Sequence, residues 1–309
     1  MEIHSATWWA SRLIGQNEFM MESTSDIQVK QQVRQFYDQV GWQEVGAGVY
    51  QNARFEDLRP VSREYIHKCH LRVARHLSPE GEYFLDAGSG PIQYPEYLEY
   101  SNGYQARVCA DISIVALQEA RQRIGDRSSG GQGLFVVADV ANLPFADQVF
   151  DGVVSLHTIH HLPSNEHQQA YMGLYRVLAE SKSAVVVNGW ESSSISDIFV
   201  APIKWGRRTR KRFARRLGKA SREPTNQGNH SVSTFVSKHN ASWLKEEVGN
   251  LLDLNILVWR SVGVRFLKAY IHPRLGGRWL LRGIYWLEER FPHFMGEHGL
   301  YPLIILTKN

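Results

Sequence analysis

Five short apolar runs, separated by helical patterns, constrain this chain more than any other feature. YFLDA (83–87), ARVCAD (106–111), LFVVAD (134–139), FDGVVSL (150–156) and AVVVNGW (184–190) read as strands. They are apolar throughout rather than alternating, which is the pattern of a sheet covered by helices on both faces. Residues 93–100, 113–124 and 164–179 carry helical spacing between them, with Ser113 and Ser164 placed as N-caps. Such alternation builds a parallel, doubly wound sheet. It lapses for about 60 residues, then resumes with a run at 254–266, a helix near 278–290 and a closing strand at 301–308. Upstream, 26–40 and 60–77 predict two helices, the second opened by Pro60.

This divides the chain into a weakly ordered N-terminus (1–25), a helical cap (26–78) and a cofactor-binding domain (79–309) with an insertion at 191–253. Met20 and Met21 are candidate internal starts, and the N-terminus lacks the apolar core of a secretory signal. No run of 18 apolar residues is present to span a membrane. Two cysteines, Cys69 and Cys109, cannot build a disulfide framework and suit a reducing, cytoplasmic compartment. The net charge of +4 conceals an asymmetry: residues 204–222 carry ten Lys and Arg and no acid, leaving −6 for the rest.

The segment EYFLDAGSGPIQYPEY (82–97) joins a strand to a helix through a glycine loop. A dinucleotide fingerprint would place glycine at Gln93. Asp86, two residues before Gly88, puts a carboxylate at the loop floor, where it repels a pyrophosphate and attracts a cationic ligand. S-adenosylmethionine is such a ligand. Asp111, at the second strand end, can accept both ribose hydroxyls, and Asp139, at the third, can accept from the adenine amino group.

FLDAGSGP, CADIS, VVADVANLPFADQVFDGVVSLHTIHHLP and YRVLAESKSAVVV resemble successive motifs of class I S-adenosylmethionine-dependent methyltransferases. The small-molecule type, similar to the ubiquinone and menaquinone biosynthesis methyltransferases, fits best, over about residues 80–190. The resemblance implies a Rossmann-like α/β fold: a seven-stranded, mostly parallel sheet whose last strand is antiparallel. It implies that Asp86, Gly88 and Gly90, with Ala87 and Ser89 between them, line the methionine portion. Asp111 and Ile112 would hold the ribose and adenine, Asp139 and Val140 would flank the adenine, and Ser155 and His157 would sit beside the methyl group. The chain departs from the family at Ile92, which follows Pro91 where a third loop glycine is frequent.

HTIHHLP (157–163) offers three histidines at a strand end. His157 is the expected substrate-facing residue and a candidate general base; His161 is expected to be structural. No cysteine or nearby carboxylate completes a ligand set, so no metal is expected. His239 and Trp243 are candidates for acceptor contacts, and Phe36, Tyr37 and Trp42 for a lid, Phe36 as core packing. The basic stretch, with Trp205, Phe213 and Leu217 after the apolar 199–203, reads as a membrane-surface helix over 199–222, a nucleic-acid patch or a solvated insertion. The expected activity is in-line methyl transfer to a small-molecule or lipid-like acceptor. An RNA methyltransferase is the enzyme alternative, disfavoured because no Asn-Pro-Pro-Tyr-type sequence follows the fourth strand. A non-catalytic binding protein that keeps the fold is the alternative from another class.

Overall fold

The computed structural model describes residue 13 and residues 23–42, 44–46, 49–50, 56–125, 131–195 and 234–309. The basic segment 204–222 and nearly all of the N-terminal stretch 1–25 lie outside these. Helix α1 (Thr24–Phe36) is capped by the Ser23 hydroxyl and runs on into a π-turn, Tyr37–Gly41. A two-stranded ribbon follows, β1 (Glu44–Gly46) and β2 (Val49–Tyr50), then α2 (Pro60–Leu71) with Pro60 in its first turn, where a missing N–H costs nothing.

The main sheet contains β3 (Gly81–Ala87), β4 (Tyr104–Asp111), β5 (Gln132–Val137), β6 (Gly152–Leu156), β7 (Ser183–Val187), β8 (Leu254–Arg260) and β9 (Tyr301–Thr307). Their order across the sheet is β5-β4-β3-β6-β7-β9-β8. Every neighbouring pair up to β7 is parallel, and β9 runs antiparallel to both β7 and β8. The helices are α3 (Pro95–Glu99), α4 (Ile114–Gly125), α5 (His167–Val177), α6 (Ala241–Glu247), α7 (Val264–Tyr270), α8 (Gly277–Arg290) and α9 (Pro292–His298).

Apolar strands buried on both sides explain the two cores. Leu85, Val108, Val153 and Val186 pack with α5 on one face. Phe84, Val154 and Val185 pack with Val61, Tyr65 and Cys69 of α2 on the other. The chain order reverses between β3 and β6, so their carboxyl ends open a crevice, the place where ligands bind in open α/β sheets.

Three local readings are corrected. β5 stops at Val137, because the Asp139 side chain turns back to accept from Ala141 N at 3.0 Å and caps a 3-10 turn. Ser164 makes no side-chain cap; a 3-10 turn, Ser164–Glu166, leads into α5. The run 254–266 is a strand only to Arg260, and Gly263 then precedes α7.

Candidate functional site

The loop after β3 depends on its glycines. Gly88 has φ +76, and a Cβ there would lie 2.2 Å from both Cγ2 and Oγ1 of Thr158. Gly90 has φ +54 and faces the Trp42 ring. Ile92, the departure from the family pattern, has φ +54: it adopts the left-handed conformation that suits glycine, although fully buried. Gly88→Ala is expected to destabilise the fold by about 2–4 kcal/mol, the sum of the left-handed penalty and overpacking, read as a lowered melting temperature.

The crevice is a cavity of about 450 Å³ lined by Asp86, Gly88, Ser89, Gly90, Asp111, Ile112, Asp139, Val140 and His157. Ala87 and Ser155 are buried and are not among the residues that line it.

The three acids converge, but in different electrostatic states. Asp111 Oδ2 accepts from Gly90 N at 2.9 Å and Oδ1 from Ser113 N at 2.8 Å. Burial pushes its carboxyl up to about 6, against the pull of those two N–H groups. Asp86 is paired with the buried Arg107, whose Nη1 also donates to Tyr97 O at 2.7 Å. Lys30 of α1 donates to Asp139 Oδ2 at 2.5 Å and lies 2.8 Å from Glu166. Asp86 and Asp139 are therefore neutralised from within the protein. Among the described residues only Asp111 of the three has no cationic partner, so the attraction expected from three free carboxylates rests on one.

The N-terminal segment closes one side. Phe36, Tyr37 and Trp42 line the cavity; Tyr37 and Trp42 stack with centroids 5.0 Å apart. His161 Nδ1 donates to Phe235 O at 2.8 Å, which leaves Nε2 to accept from the Tyr37 hydroxyl at 2.8 Å. His161 thus ties the π-turn after α1 to Phe235 within the insertion.

His157, also in the lining, has φ +58, and its N–H donates to Val187 O at 2.7 Å. Its ring packs on Trp259 and Tyr301, with centroids 5.0 and 5.7 Å away. Burial lowers its pKa to about 3, so the ring is neutral near pH 7 and a weak proton acceptor, which argues against a strong general base. His160 Nδ1 donates to Asn188 Oδ1 at 3.1 Å and is also held neutral by burial.

His239 and Trp243 stack with centroids 3.7 Å apart, but they line a smaller neighbouring cavity rather than the crevice. Sequence reasoning missed Lys30, Glu56, Lys238 and Arg260 in the main lining. Arg260 and Glu56 form a buried ion pair across 204 residues. Arg260 had a usable signal: a cation ending the apolar run LNILVW. Lys238 had none. Its amine packs over Gly189, where a Cβ would meet Nζ at 2.9 Å, and burial lowers its pKa.

Residues 85–186 match the family model described as "Methyltransferase domain". The O-methyltransferase resE of Aspergillus sclerotiorum is 27% identical over 140 residues, covering 44% of this chain and 51% of that protein. The chain thus spans about half the length of that curated relative. Two solved structures share the fold at low identity. The [4+2]-cyclase SpnF superposes with a TM-score of 0.51 at 16% identity, over 90% of this chain and 97% of that one. Geranyl diphosphate C-methyltransferase from Streptomyces coelicolor, in complex with Mg2+, geranyl diphosphate and S-adenosyl-L-homocysteine, gives 0.50 at 11%, over 91% and 98%.

Proposed function

Because residues 85–186 match a methyltransferase-domain model, we propose that the chain is a class I, S-adenosylmethionine-dependent methyltransferase that binds that cofactor in the crevice and methylates a small-molecule or lipid-like acceptor. The observation that carries the reading is the convergence of the glycine loop and Asp111 on one cavity at the sheet's switch point. The residues fit the cofactor. Each Asp111 oxygen accepts one backbone N–H and keeps a lone pair for a ribose hydroxyl. Ile112, Val140 and Phe36 give an apolar wall for an adenine ring. Gly88 and Gly90, with no side chains, let a ligand approach the loop backbone.

When bound, S-adenosylmethionine supplies an electrophilic methyl group that passes to a nucleophile in line with the breaking carbon–sulfur bond. The protein's part is to hold the acceptor and exclude water. The Tyr37–Trp42 stack closes the cofactor side. Neutral His157 offers a hydrogen bond to an acceptor group and orients it. Its proximity to Lys238 and Arg260 gives the acceptor end a polar rim within an aromatic wall.

The fold is shared with a [4+2]-cyclase, so retention and transfer are measured separately. Wild-type protein is expected to retain radiolabelled S-adenosylmethionine and to pass label into the organic extract of a cell lysate. No retention overturns the reading. Retention without transfer leaves the non-catalytic alternative. Retention is expected to fall as pH drops through about 6, where Asp111 gains a proton. Its contribution to the stability of the ligand-free fold has the opposite sign. The folded pKa lies above the unfolded one, so that contribution is full below about pH 4 and lost as pH rises through about 6.

Peripheral membrane contact through 199–222 belongs to the same reading, supported by that segment's ten basic residues. No helix of the described residues is long and apolar enough to cross a membrane. Weakened sedimentation with anionic vesicles on deleting 204–222 is the expected result, and unchanged sedimentation overturns it.

A further inference from the structure

Helix α8 lies with its apolar residues on two sides. One side packs inward through Leu281 and the buried Glu288. The other leaves Trp279 74% exposed and Trp286 63% exposed. Positions seven apart share a helix face, so the two indoles stand in line. Leu280 and Leu287 flank them, and Phe291 and Phe294 carry the exposed stripe into α9. Monomeric proteins rarely leave so many contiguous large apolar side chains in water without a use.

The exposed charges beside the stripe are mainly basic, and the acids near it, Glu64, Glu289 and Glu297 of α9, are each held in ion pairs. Arg274, Arg278, Arg282 and Arg290 are exposed beside it. Arg282 sits over the Trp279 ring at 5.2 Å and also reaches Glu64 at 3.2 Å; Arg290 sits over Phe291 at 5.3 Å. Of the acids of α8, Glu288 points into the core, and the half-exposed Glu289 is held by Arg72 and Arg75 at 3.0 and 2.8 Å.

We propose that the outer face of α8 and α9 docks on an anionic phospholipid surface, with Trp279 and Trp286 inserted at the headgroup level and the arginines on the phosphates. Indoles favour that boundary, where one end of the ring is apolar and the other wet. An amphipathic helix with a cationic rim lies in the plane of such an interface. A symmetric pairing of two copies through this face would set its arginines against themselves. A nucleic acid would meet the arginines but leave the leucines in water. This docking does not depend on the chain's chemistry, and it involves a different segment from 199–222.

The test uses full-length protein, vesicles of 30% phosphatidylglycerol in phosphatidylcholine, and vesicles of phosphatidylcholine alone. Expected results are sedimentation with the anionic vesicles, a blue shift of tryptophan emission, and weakening as salt is raised. The double variant W279S/W286S is expected to bind at least tenfold less, with its melting temperature unchanged. Deletion of 204–222 is expected to leave the blue shift in place. The proposal is overturned if the double variant binds as wild type, or if the blue shift vanishes with the deletion alone. It is also overturned if W279S/W286S converts a solution dimer to monomer or abolishes RNA binding while wild type ignores vesicles.

Discussion

Asp111→Ala is expected to weaken S-adenosylmethionine retention by at least about 100-fold, roughly 3 kcal/mol, the worth of one or two hydrogen bonds to a charged acceptor. The partly buried carboxylate is, of the three acids, the one without a cationic partner among the described residues, so nothing nearby replaces it. It also accepts the N–H groups of Gly90 and Ser113, so alanine frees the glycine loop as well. Asp111→Asn separates these effects. It keeps the shape and one accepting oxygen, and it removes the titrating group. Retention by the asparagine variant should be weak yet level between pH 5 and 8, whereas wild type shows a limb near 6. Equilibrium dialysis across pH, with melting curves alongside, reads both. An alanine variant that retains cofactor as wild type does would remove Asp111 from the site.

Glu288→Leu is expected to cost about 3–5 kcal/mol of folding stability, the usual result of stripping one partner from a buried ion pair. The carboxylate is fully buried. It accepts from Tyr65 Oη at 2.6 Å, Arg72 Nη1 at 2.9 Å, Ser261 N at 2.8 Å and Ser261 Oγ at 2.6 Å. Leucine leaves the Arg72 charge without its innermost partner. A fall in melting temperature on the order of 10 °C should follow. Its neighbour gives the contrast: Glu289 is half-exposed beside two arginines, and Glu289→Ala should cost under about 1 kcal/mol. Equal losses at the two positions would mean that Glu288 does not anchor α8.

Local pattern carried most of the architecture. Val108, Val154 and Val186 lie in mainly apolar runs, and such runs between helical spacings admit few arrangements other than a covered parallel sheet. The glycine loop was equally legible, because its residues are contiguous. What escaped was long-range pairing. Lys30 meets Asp139 across 109 residues, and Arg72 meets Glu288 across 216; no spacing in the chain announces either. Arg107 was nearer to hand, a cation inside the apolar run ARVCAD, which only a buried acid such as Asp86 could satisfy. Asp139 was misplaced at a strand end because a capping aspartate and a terminal strand residue look alike in sequence. The helix at 278–290 was legible as a helix, but its pattern has two apolar sides, and only the packing shows which one faces the core.

His157 holds a backbone geometry that few side chains tolerate. A saturation library at this codon will therefore be sorted by conformational tolerance before chemistry has any say. Asparagine, aspartate and glycine should yield well-behaved protein, while valine and isoleucine should express poorly. The surviving set would overstate how strictly the imidazole's chemistry is required, and asparagine is the replacement against which its contribution is best judged.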